Sequence, residues 1–160
     1  EDREFYAHPD HVRVHEITRA AFEAAGDAAQ YEHLGAPWQP SKLYEMGFTR
    51  RQITAMADAY DAAGAENPFR EWLQMWEASG LPDEDHRYRT QIDVGAFLDK
   101  RRASLLAHRT QIDPDGFWMQ ITDDQIRAHY PFEDYKLVAT HGAIDPDATE
   151  TDLFTGVTFP

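Results

Sequence analysis

The stretch Phe5-Tyr-Ala-His-Pro-Asp-His-Val-Arg-Val-His-Glu16 places His8, Asp10, His11 and His15 within a few residues of one another. Pro9 suits the first turn of a helix, where its missing N–H would have no intrahelical partner. Val12, Ile17, Ala20, Ala21, Ala24 and Ala25 follow at helical spacing, and Gly26-Asp27 ends the run. His11 and His15, four apart, then share one helix face and can hold a single ion together. His8 and Asp10 flank the turn, and the positive helix end favours the neutral imidazole that coordination needs. The competing reading is a polar helix start whose short side chains cap backbone N–H groups and whose histidines are solvated. Spacing alone leaves both open, because H-x-x-H and H-x-x-x-H recur by accident.

Beyond that helix, the segment from Tyr31 to Pro40 carries Gly35, Pro37 and Pro40 and is expected to be a loop. Lys42 to Phe48 alternates and should be a strand. Thr49 can cap a helix that runs through Ala63 and stops at Gly64. Asn67-Pro68 begins another, closed by Gly80, and the residues 81–88 form an acidic loop. The alternation in 87–94 predicts a strand ending at Asp93, which would cap a long helix from Gly95 to Gln111. Asp113-Pro-Asp-Gly116 is a turn by composition. Thr122 and Gln125 match a capping box for a short helix to His129, and Tyr135 to Thr140 reads as a last strand before the acidic segment 150–156. Few strands and several helices result, too few strands for a self-sufficient sheet.

The 160 residues make one domain's worth at most, which buries ~70% of its unfolded surface. Hydrophobic residues at 42%, with nine Phe, seven Tyr and four Trp, allow a packed core. A net charge of −14 argues against nucleic acid, whose binders cluster Lys and Arg. There is no cysteine, hence no disulfide framework and no thiolate ligand. No apolar run approaches the ~20 residues of a membrane span and no leader pattern is present, so a cytoplasmic protein with His/Asp metal chemistry is expected.

Tyr6-Ala-His-Pro-Asp-His11, followed by a helix carrying Val14-His-Glu16, resembles the second signature of the LmbE-like, or PIG-L-type, zinc amidases and deacetylases. "KLYEMGF", "NPFREWLQMW", "LLAHRTQIDPDG" and "ETDLFTG" resemble further segments of that family's mycothiol S-conjugate amidase branch, in the same order. The resemblance implies an α/β, Rossmann-like fold of which residues 1–160 form the helix-rich C-terminal half. It implies that His11 is a zinc ligand, that His8 is a general acid and oxyanion stabiliser, and that Asp10 orients the His8 imidazole. Tyr6 matches a mobile tyrosine that polarises the scissile carbonyl. A zinc ion with three protein ligands keeps a position open for water and polarises an amide carbonyl.

The family's first signature, Ala-His-Pro-Asp-Asp-Glu, is absent: Asp123-Asp124 follows Ile121-Thr122, and Asp83-Glu84-Asp85 follows Leu81-Pro82. Two zinc ligands, the general base and most of the parallel sheet belong to that missing part. The expected partner is therefore the N-terminal half of the same enzyme, covalently joined or as a separate chain. The expected function is amide hydrolysis of N-acyl glucosamine compounds, foremost a mycothiol S-conjugate, with deacetylation of an N-acetylglucosaminyl compound as the enzymatic alternative. A metal-free acidic binding module is the non-enzymatic one. Phe69, Trp72, Leu73, Met75 and Trp76 either line a hydrophobic substrate pocket or, as their helical spacing favours, fill the core; His108 and Gln111 either touch a sugar hydroxyl or cap a helix end; and Arg101 and Arg102 are expected on a solvated face.

Overall fold

The computed structural model describes residues 9–141 and 144–158. The helices are α1 (Pro9–Ala24), α2 (Arg50–Ala63), α3 (Pro68–Ser79), α4 (Leu98–Ala107) and α5 (Asp123–His129), and the strands β1 (Lys42–Met46), β2 (Thr90–Asp93) and β3 (Phe132–Thr140). The fold is thus mixed α and β, with one three-stranded sheet of order β1-β3-β2. Strands β2 and β3 are antiparallel, with Gln91 opposite Asp134 and Thr90 opposite Tyr135. The chain divides into two compact units. Unit 1 comprises Glu1–Tyr44, Val138–Pro146 and Gly156–Pro160, and unit 2 comprises Glu45–Leu137 and Asp147–Thr155. Among the described residues no helix is long and apolar enough to cross a membrane.

The helices of unit 2 begin and end where local chemistry dictates. The Thr49 hydroxyl accepts the Gln52 N–H at the start of α2, and Gly64 closes it at φ 64°, a left-handed conformation that costs a residue without Cβ little. The Asn67 side chain accepts the Phe69 N–H with Pro68 beside it, and Gly80 ends α3 at φ 66°. At α5 both halves of the Thr122–Gln125 capping box are made. The expected long helix is shorter. A 3₁₀ turn, Gly95–Phe97, precedes α4, and His108 terminates it. Asp93 is not its cap; its carboxylate accepts the N–H of Gly95, which sits beyond the strand in a tight turn.

Ile53, Met56, Ala57, Ala59, Tyr60, Phe69, Leu98, Ile121 and Ile126 form the core of unit 2, with Trp72, Leu73, Trp76, Phe117 and Trp118 packed against it. Phe69 is its hub, edge-on to Tyr60 at 5.3 Å, to Trp72 at 5.4 Å and to Trp118 at 6.0 Å. The Tyr60 hydroxyl donates to the Phe117 carbonyl, so the buried phenol is not left without an acceptor. Met75, expected in the core, is 56% exposed. Six residues on from Phe69, it lies about 120° around α3, beyond the arc that Trp72, Leu73 and Trp76 share with Phe69.

Candidate functional site

Of the predicted site residues, Tyr6 and His8 lie outside the described residues. Asp10 and His11 occupy the first turn of α1, where the acidic side chain complements the helix dipole. His15 is one turn further on, about 6 Å along the axis. Asp10, His11 and His15 are all exposed, and Arg13 donates to Glu16 at 3.2 Å on the same helix. Among the described residues no group of three or more His, Cys, Asp or Glu side chains could hold a metal ion. His11 and His15 by themselves fall short of the three protein ligands of a catalytic zinc. These residues therefore do not complete the expected zinc site.

The described residues build a different polar centre, in unit 2. Asp134, 1% exposed on β3, accepts from Thr49 Oγ1 at 2.6 Å, Arg51 Nη2 at 2.7 Å, Gln91 Nε2 at 3.0 Å and the Tyr130 hydroxyl at 2.8 Å. Burial pushes its carboxyl upward in pKa, but these hydrogen bonds outweigh it and the net direction is down. Tyr130 moves the other way: burial raises its phenol, and donation to Asp134 adds to that. Arg51 also donates to the carbonyls of Asp85 and Tyr88, while the Asp85 carboxylate accepts the N–H groups of Arg50 and Arg51. The orphan donors at the start of α2 are thus satisfied from a loop 35 residues away. These hydrogen bonds run between α2, β2, β3 and the loop at Asp85, so the centre holds these elements of unit 2 together.

A second buried charge lies two residues along β3, on the same face. Lys136, 6% exposed, pairs with Glu45 at 2.8 Å and lies 5.7 Å from the Tyr88 ring centroid. On the opposite face Tyr135 donates to Glu133 at 2.7 Å, and burial followed by that acidic neighbour pushes its phenol to about 12. The acidic segment after residue 146 is docked as well: Glu150, 4% exposed, accepts from Thr90 Oγ1 and bridges β2 through its backbone. Arg102 is not on a solvated face as expected. It ties α4 to α5, donating to Asp123 at 2.9 Å and to the Ile121 carbonyl at 2.8 Å. His108 terminates α4, with Nδ1 2.9 Å from the Ser104 carbonyl, and the Gln111 N–H donates to the His108 carbonyl. No local sequence signal marks Asp134 or Arg51; period-two spacing of Asp134 and Lys136 is the one trace they leave.

No protein-family model matches the chain. Among curated proteins it is 34% identical over 155 residues to the mycothiol S-conjugate amidase of Streptomyces coelicolor, covering 95% of this chain and 52% of that protein. It is 35% identical over 157 residues to the 1D-myo-inositol 2-acetamido-2-deoxy-alpha-D-glucopyranoside deacetylase 2 of Frankia alni, 96% of this chain and 54% of that one. The corresponding deacetylase of Rhodococcus jostii is 37% identical over 155 residues, 95% and 51% of the two chains. The chain spans about half the length of the curated relatives it matches. Along nearly its whole length it is a homologue of the C-terminal half of mycothiol S-conjugate amidase and of these deacetylases.

Proposed function

We propose that this chain is the C-terminal half of a zinc-dependent amide hydrolase with a Rossmann-like LmbE fold, acting on N-acyl glucosamine compounds. A mycothiol S-conjugate is the leading substrate. The observation that carries the reading is the match to mycothiol S-conjugate amidase over 95% of the chain. Deacetylation of an N-acetylglucosaminyl-inositol compound is the second reading, favoured by the equally extensive matches to two named deacetylases.

In this reading His11 gives one imidazole to the metal, and the other ligands come from outside the described residues. Bound zinc supplies Lewis acidity and a water of lowered pKa. His8 hands a proton to the departing amine, Asp10 holds the His8 ring in orientation, and Tyr6 donates a hydrogen bond to the amide carbonyl. Two substitutions in the complete enzyme separate these roles. His11→Ala should remove most bound zinc by elemental analysis and nearly all hydrolysis. His8→Ala should keep the zinc and lower kcat by about 10²–10⁴-fold. Metal retained in the first variant, or lost in the second, overturns the assignment.

A further inference from the structure

Strand β2 ends the sheet of order β1-β3-β2, so one of its edges faces away from β3. The register fixes which groups lie on that edge. Thr90 pairs with Tyr135 and Ile92 with Glu133, and just beyond the strand the Val94 N–H donates to the Pro131 carbonyl. Even-numbered residues therefore turn their backbone groups to β3, while Arg89, Gln91 and Asp93 turn theirs outward. An edge of this kind is a template for another strand unless something covers it.

Among the described residues, the segment Asp147–Thr155 of unit 2 covers it, at one point. Glu150 forms a parallel bridge to Thr90: its N–H donates to the Arg89 carbonyl at 3.1 Å, and its carbonyl accepts the Gln91 N–H at 2.9 Å. Arg89 Nη1 clasps the segment further, 2.5 Å from the Asp147 carbonyl and 3.2 Å from its carboxylate. Glu150 is the buried residue of the segment, Ala148 and Leu153 are half-buried, and the others are exposed. Little apolar surface holds the segment down, and its buried member is a carboxylate that opening returns to water.

We infer that Asp147–Thr155 is a releasable strap that, while closed, denies the outer edge of β2 to a second copy of this chain. The edge is complementary to itself. Two copies of β2 laid antiparallel about Gln91 exchange the same outward N–H and carbonyl groups and set Arg89 of each opposite Asp93 of the other. Opposite charges directly across such a pair are favourable, and a twofold axis makes both pairs at once. The Gly95 N–H takes only Oδ1 of Asp93. In the closed state the Asp147 carboxylate faces Arg89 in place of the second copy's Asp93.

The test opens and locks the strap in the 160-residue chain. Glu150→Pro removes the N–H given to Arg89 and loosens it. Because the sequence has no cysteine, Thr90→Cys with Glu150→Cys places one thiol on each side of the bridge, and oxidation locks it. Amide exchange reads Gln91, whose N–H depends on the strap, against Ile92, whose N–H faces β3; light scattering over a range of concentrations reads association. In the unsubstituted chain Gln91 should exchange at least about tenfold faster than Ile92. Glu150→Pro should form dimers as concentration rises, with Gln91 protected again in them. Adding Arg89→Glu, which sets two acids opposite each other, should abolish the dimers, and the oxidised double-cysteine chain should stay monomeric.

Equal protection of Gln91 and Ile92 in the unsubstituted chain overturns the releasable strap. A Glu150→Pro chain that keeps its circular dichroism yet stays monomeric overturns the masking of the edge, and so does association that the disulfide or Arg89→Glu leaves intact. Where Glu150→Pro fails to fold, the double-cysteine chain carries the same comparison: dimers on reduction and monomers on oxidation support the inference, and the same state in both overturns it.

Discussion

Asp134→Ala should be the costliest polar substitution in unit 2. The carboxylate accepts from four side chains and is 1% exposed. Removing one partner of a buried, hydrogen-bonded charge pair costs ~3–5 kcal/mol, chiefly because the other charge stays behind without compensation. The Arg51 side chain is 33% exposed and water recovers part of that loss, which sets the expectation at ~2–4 kcal/mol. Urea unfolding followed by far-UV circular dichroism reads this as a lowered midpoint at constant slope. The pH dependence gives an independent check. Because the folded pKa lies below the ordinary 3.8, the carboxylate's contribution is complete above that value and is lost as pH falls through the folded one. Asp134→Asn should accordingly flatten the acid limb of stability below about pH 4 while lowering stability at pH 7. A loss below about 1 kcal/mol for the alanine variant, or an acid limb unchanged in the asparagine one, would refute the view that this network holds the unit together.

Phe69→Ala removes the hub of the aromatic cluster and should cost ~3–5 kcal/mol by the same urea assay; a loss under 2 would mean the cluster collapses into the space. Gly47→Ala should destabilise by ~1–3 kcal/mol, since its Cβ would stand 2.3 Å from the Tyr88 hydroxyl and 2.9 Å from the ring, and Gly47→Ala combined with Tyr88→Leu should recover part of it. Thr122→Ala breaks the capping box of α5 and should cost ~1 kcal/mol, visible as faster amide exchange in residues 123–126 with little change elsewhere.

What the sequence determined by itself lies within a few residues of its cause. Pro9 began α1, Thr49 and Gly64 bounded α2, Asn67-Pro68 and Gly80 bounded α3, and Thr122-Gln125 opened α5, because caps and left-handed glycines act on backbone groups in the same turn. The resemblance carried by residues 6–11 and the later segments is borne out by the homologues, since it too is a matter of residue order. Tertiary structure decided the rest. The strand expected from Tyr135 begins at Phe132, because pairing with β2 extends it. Arg102 left the expected solvated cluster to join α4 to α5, a partnership set by a fold spanning 21 residues. Asp134 and Asp85 look like ordinary acids in an acidic chain until the fold brings Arg51 and the start of α2 to them. The same limit applies to α1: periodicity showed which residues share a face, but whether Ile17 faces a core or solvent depends on what lies opposite, and a stripe of side chains holds no record of that.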